Sequence, residues 1–292
     1  MVGDIGGKER GSRSVFRAVT LDEITDGKGE AARRMLPVAI VLFLSNTVAK
    51  WAIVAGLGLD IRPLGLGLVA AAVAVGRPAR WGSAVGLLAA GLLLGDWTGG
   101  VVYAISAYVA TTLGVRLWAR SDGSRDSAWS DWMLRYGLVA VGTAFAFIAM
   151  ESWLFDVLGR AAFSVTVPRA VMTTVPFAVL GTPLVRPVAR RATGTAWEVP
   201  GRPMSEWSQA IVVATVLGWT VLGYVSSALF RLIEQAPPGS IGRRISPALE
   251  TFLGLWGDQG MYAELLLGLL ALAGLAVVLR RARPTPDGPI VA

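Results

Sequence analysis

The chain has no cysteine and no histidine, and only 16% of its 292 residues are charged. Each absence removes a class of chemistry. Without cysteine there is no disulfide, no thiolate nucleophile and no thiolate-ligated zinc or iron–sulfur centre. Without histidine there is no imidazole base, so a serine–histidine triad cannot be assembled, and no imidazole is present to ligate haem, copper or zinc. No metal and no cofactor is therefore expected, and the expected class is non-enzymatic. The shortage of charge also argues against a soluble enzyme of this size.

What the sequence has in place of charge is apolar surface, at 54% of residues. Apolar runs of about 20 residues recur along the whole length, the span of a helix across a bilayer. The runs are continuous and do not alternate with period two, which excludes an outer-membrane barrel. Helices satisfy their own backbone polar groups in lipid. The expected fold is therefore all-α, a polytopic bundle of eight spans: 35–57, 61–76, 81–95, 99–118, 132–157, 162–185, 208–233 and 260–279. The second and third are short and glycine-rich.

Charge placement orients the bundle. With the amino terminus in the cytoplasm, all but seven of the 27 basic residues fall on cytoplasmic segments. The seven are Lys50, Arg62, Arg160, Arg169, Arg231, Arg243 and Arg244. That is the positive-inside pattern, with both termini inside and the plasma (cytoplasmic) membrane as the expected location. The formal charge of +7 is thus explained by topology, and no nucleic acid is expected as a partner, since no basic surface with interleaved aromatics stands out.

The chain divides into a polar cytoplasmic tail (1–34), a six-span core (35–191), a cytoplasmic linker (192–207), two further spans (208–280) and a short tail (281–292). Residues 1–34 read as a tail that is largely unstructured and not as a signal peptide. The long loop between the last two spans contains Ser246 and Pro247, a helix-start pair, and Ile245, Leu249, Phe252, Leu253 and Trp256 near one face. These predict an interfacial helix on the outer surface. In the third span Gly82, Gly86 and Ala90 are spaced by four, and Gly91 and Gly95 repeat the interval. A stripe of this kind lets backbones pack closely inside the bundle or forms a face for a partner subunit.

Charges inside spans usually face the protein interior and mark function. Asn46 and Lys50 lie one turn apart in the first span, Glu151 in the outer part of the fifth, and Arg169 near the outer third of the sixth. Asp96 and Trp97 end the third at GLLLGDWTGG (91–100). At similar depth these six form the candidate ligand site. Lys50 and Arg169 would hold an anionic group, Asp96 and Glu151 a cationic one, and Trp97 or Trp153 an apolar wall. A structural ion-pair set, with Asp96 an ordinary loop acid, is the competing reading. An intramembrane aspartyl protease is disfavoured, because LLGD (93–96) and WGD (256–258) each lack the first glycine of Gly-x-Gly-Asp.

IRPLGLGLVAAAVAVGRPARWGSAVGLLAAGLLLGDWTGG (61–100) pairs a short glycine-rich span with a tight Gly-Arg-x-x-Arg-Trp turn and a Gly/Ala-rich span. VPFAVLGTPLVRPVARR (175–191) is a late proline-containing helix. Together they resemble the substrate-binding S components of energy-coupling-factor vitamin transporters, and also eight-span membrane-associated sensor domains. The first resemblance implies capture of a small polar or zwitterionic solute from outside, with separate coupling and ATPase subunits. The second implies a scaffold or sensor that acts through its cytoplasmic loops on a separate signalling partner.

Overall fold

The structure is a computed structural model that describes residues 21–54, 63–118, 129–192, 204–234 and 261–281. Among the described residues every regular element is an α-helix. They are α1 (Leu21–Val54), α2 (Leu64–Ala74), α3 (Ala79–Leu93), α4 (Trp97–Trp118), α5 (Trp129–Val157), α6 (Phe163–Leu180), α7 (Thr182–Ala192), α8 (Glu206–Glu234) and α9 (Met261–Arg281). Five of these contain segments long and apolar enough to cross a membrane: 32–49 in α1, all of α4, 132–157 in α5, all of α6, and 207–232 in α8.

Helix α5 is the axis, with α4, α6, α8 and α9 packed around it and α2 against its side. Its core face carries Tyr136, Phe147 and Ile148, none of which has appreciable exposure. Helix α2 is apolar on every side, and a helix of that kind is stable only when surrounded. It is accordingly wedged among α6, α4 and α5, with Leu64, Leu68, Val69 and Ala72 buried. Its 11 residues rise roughly 16 Å, about half of a hydrocarbon core. Elsewhere large apolar side chains point outward, as on α1 (Leu36, Ile40, Leu44, Val48) and α8 (Val221, Leu222, Val225, Leu229, Leu232). Such a belt suits contact with lipid acyl chains and is costly in water.

The small-residue stripe of α3 is used inside the chain. A Cβ on Gly86 would strike the Ala39 carbonyl oxygen of α1, and one on Gly91 would strike the Cα of Gly100 in α4. Ser83 also hydrogen-bonds Thr111 across the α3–α4 seam, Oγ to Oγ1 at 3.1 Å.

Two differences from the sequence reading stand out. Helix α1 begins at Leu21, so residues 21–34 of the expected tail continue the first apolar helix. Glu30, Ala31, Ala32, Arg33 and Arg34 are good helix formers, and the first proline comes only at Pro37. Second, the expected span 162–185 breaks at Gly181, and 182–192 form a separate, strongly amphipathic helix, α7. At the break the Ala178 carbonyl accepts a hydrogen bond from the Tyr136 hydroxyl at 2.9 Å. Arg186 of α7 then lies over the Trp129 ring, 4.3 Å from its centroid, against a Trp129–Trp132–Tyr136 stack. The expected interfacial helix over 246–256 and the outer Arg62 lie outside the described residues.

Candidate functional site

The end of the bundle where α3 passes to α4 and α5 passes to α6 is built from two matching turns. Gly95 ends α3 at φ +71°, and Gly159 ends α5 at φ +65°. Both are in the left-handed region that favours glycine. In each turn the next residue donates its backbone N–H back to the helix: Asp96 to the Gly91 carbonyl at 2.9 Å, and Arg160 to the Phe155 carbonyl at 2.9 Å. The two turns thus present a carboxylate and a guanidinium at equivalent places.

Those groups meet. Arg160 Nη1 donates to Asp96 Oδ1 at 2.8 Å, with the side chains 45% and 33% exposed. Asp96 Oδ1 also accepts the Gly99 backbone N–H at 3.0 Å. Asp96 is therefore the N-cap of α4, satisfying a donor at the helix start and placing negative charge at the positive end of the dipole. A pair this exposed is worth at most about 1 kcal/mol, comparable with the cap itself at about 1 kcal/mol. Asp96 thus has a complete structural role without a ligand.

Beside Arg160 a cavity of about 290 Å3 opens between α4, α5 and α6. Tyr103 lines it from α4 and Glu151 and Phe155 from α5. Val165, Thr166, Arg169, Ala170 and Thr173 line it from one face of α6. The spacing of four along α5 and α6 turns these residues to a common side. Tyr103 and Phe155 meet edge to face at 5.7 Å between centroids. Glu151 is 5% exposed, whereas Arg169 is exposed at the rim. Neither is a free charge; each interacts with a neighbouring group, as do Asp96 and Tyr103. The cavity therefore has a buried acidic end, two guanidinium groups and an aromatic wall. Its volume is at the small end of the range for ligand sites, about 300 to 1,000 Å3.

Helix α6 is held at its start by two polar side chains. The Phe163 N–H donates to Asp156 Oδ2 at 2.7 Å, and the Ser164 N–H donates to Ser227 Oγ at 3.1 Å. These satisfy the first unpaired donors of the helix and fix the wall that carries Arg169.

Of the six expected site residues, Glu151 and Arg169 line the cavity together. Asp96 reaches it only through Arg160. Trp97 is 64% exposed at the start of α4 and is not part of the wall. Trp153 is buried against Trp219, with its Nε1 donating to the Glu264 backbone carbonyl at 3.0 Å. The aromatic wall is instead Tyr103 and Phe155. Asn46 is fully buried in α1, with neither amide atom partnered among the described residues, and it does not line the cavity. Lys50 lies one turn beyond Asn46 on α1, and its side chain is outside the described residues. In the sequence Arg160 stands out only as one of the seven basic residues off the cytoplasmic segments. Its signal was the Gly159-Arg160 pair closing the fifth apolar run, the counterpart of Gly95-Asp96. No group of three or more acidic side chains able to hold a metal ion occurs among the described residues.

Comparison with protein-family models, with characterised proteins and with solved structures gives no match. The resemblances to transporter S components and to sensor domains rest on the sequence motifs alone.

Proposed function

We propose that the chain is an eight-span protein of the plasma membrane, with both termini inside, that captures or permeates a small polar solute through an outward-facing pocket. The observation that carries this reading is the cavity between α4, α5 and α6. Glu151 and Arg169, chosen from sequence as opposite halves of a zwitterion site, line the same space. In this reading Arg169 and Arg160 hold an anionic group at the rim. Glu151 holds a cationic group deeper in, and Tyr103 and Phe155 bracket the carbon skeleton. Low dielectric around Glu151 strengthens each such contact relative to water. The role is non-enzymatic, and movement of the solute across the membrane would need separate coupling or ATPase subunits.

The test is a thermal-shift screen of the purified protein against amino acids, betaines and other small zwitterions. A saturable stabilisation by one class is expected, weakened about tenfold or more by Glu151→Gln and by Arg169→Gln, the loss of a charged hydrogen bond. Stabilisation that survives both substitutions unchanged would remove the cavity from the account.

A second reading, a membrane scaffold or sensor with a separate partner, is favoured by α7. Its amphipathic, arginine-bearing sequence follows α6 at the end of the bundle remote from Asp96, where basic loops are cytoplasmic in this topology. Replacing Arg190 and Arg191 would then abolish partner capture and leave solute binding intact.

A further inference from the structure

A second polar cluster lies apart from the solute cavity, between α5, α8 and α9. Glu264, in the first turn of α9, is 3% exposed. Among the described residues neither of its carboxylate oxygens has a partner at hydrogen-bond distance, and both are sealed from solvent. The side chains facing it are the Asp156 carboxyl of α5 and the Ser227 hydroxyl of α8. Ser227 is in turn bonded to Ser164, Oγ to Oγ at 3.1 Å. Around this core Trp153 and Trp219 close the apolar side, and the Trp219 Nε1 is also buried without an acceptor.

Two carboxyl groups side by side, one of them sealed from solvent and the other half-buried, repel each other unless positive charge stands between them. Among the described residues no basic side chain supplies it. Arg160, one turn beyond Asp156, is turned to Asp96. Arg231, one turn beyond Ser227, pairs with neither carboxyl among the described residues. From α6 the cluster meets the Ser164 hydroxyl and the Phe163 and Ser164 backbone N–H groups, and in α9 the neighbouring Tyr262 is exposed. Asp156 Oδ2 is already committed to the Phe163 N–H. That leaves the other Asp156 oxygen, both Glu264 oxygens and the Ser227 hydroxyl as hard oxygen donors, the set suited to a small, hard cation. A buried acid with unfilled acceptor capacity in a membrane-spanning bundle is itself a mark of such a role.

We infer that Glu264, Asp156 and Ser227 form a binding site for one monovalent cation, sodium or a proton, independent of the solute cavity. The occupant neutralises the pair and ties α9 to α5 and α8. Asp156 also anchors the start of α6, so occupancy bears on the helix that carries Arg169. The proposal stands whether or not the cavity takes a solute.

The test uses the full-length protein in lipid nanodiscs. Sodium is titrated against choline at constant ionic strength and pH, and pH is then scanned without sodium. Two readouts are followed, the melting temperature and the fluorescence of Trp153, which hydrogen-bonds the Glu264 backbone. A sodium site gives a saturable response in both readouts, with the half-saturating concentration rising as pH falls. A proton site gives a pH transition and no sodium response. Either response must vanish in Glu264→Gln, and Trp153→Phe must lose the fluorescence change and keep the melting shift. Should Glu264→Gln fail to fold, Ser227→Ala, which leaves both carboxyls in place, decides the matter. It is expected to raise the half-saturating sodium concentration about tenfold or to displace the pH transition. A wild type that responds to neither cation, or variants that respond as the wild type does, would overturn the proposal.

Discussion

Asp96 shows how one carboxylate can satisfy two demands without a ligand. Its Oδ1 caps α4 at Gly99 and accepts from Arg160. The two contributions separate by substitution. Asp96→Asn keeps an acceptor for the cap and loses the ion pair, so its stability is expected to stay within about 1 kcal/mol of wild type. Asp96→Ala loses both and is expected to fall by about 1 to 2 kcal/mol. Thermal or denaturant unfolding of the two variants in detergent checks this, and equal losses would show that the cap contributes nothing. Glu151 differs, being buried beside Arg169 in a cavity wall, so its substitution is expected to register in binding first. The sequence made Glu151 and Arg169 legible because charge is scarce in apolar runs and each case needs a reason. It made Trp97 misleading. An aromatic next to a site acid reads as a wall, but the α4 helix begins at that residue and turns the indole outward. Nor could spacing foresee the Glu264 cluster, which joins residues of three helices at positions 156, 227 and 264 of the chain.

At the level of elements, close approach of backbones joins α3 to α1 and to α4. The Gly86 contact with Ala39 predicts that Gly86→Val separates α1 from α3 and costs about 1 to 3 kcal/mol, the range for overpacking. A matched substitution at Val85, which is exposed, should cost little by the same unfolding measurement. The break between α6 and α7 depends on Tyr136. In Tyr136→Phe the Ala178 carbonyl stays buried and loses its side-chain donor, an expected loss of about 1 to 3 kcal/mol. Full stability in that variant would mean that the Gly181 break needs no such bond. The apolar runs announced most of these helices, and the four-residue spacing of small residues announced the α3 seams. The α6–α7 break was not announced by hydropathy. LGTPLVRPVARR stays apolar enough to extend the run, and only the turn at Gly181 with a prolyl residue two positions on separates the two helices. The short α2 is wedged among other helices, a surrounding that its apolar run alone does not tell from lipid.

For the whole molecule, the absence of cysteine makes topology directly measurable, because single cysteines can be placed without removing native ones. Trp97→Cys and Leu158→Cys are expected to react with an impermeant maleimide from outside intact cells. Arg77→Cys and Ser205→Cys are expected to react only after permeabilisation. The opposite labelling would invert the proposed orientation and put the cavity on the cytoplasmic side. The central claim, that the chain holds a small polar solute between α4, α5 and α6, is tested most directly by native mass spectrometry of protein gently extracted from its own membrane. The account predicts a small polar molecule bound at fixed stoichiometry to the wild type and missing from Glu151→Gln prepared in the same way. A wild-type protein that carries only lipid, or that retains a signalling or assembly partner and no small molecule, would contradict it.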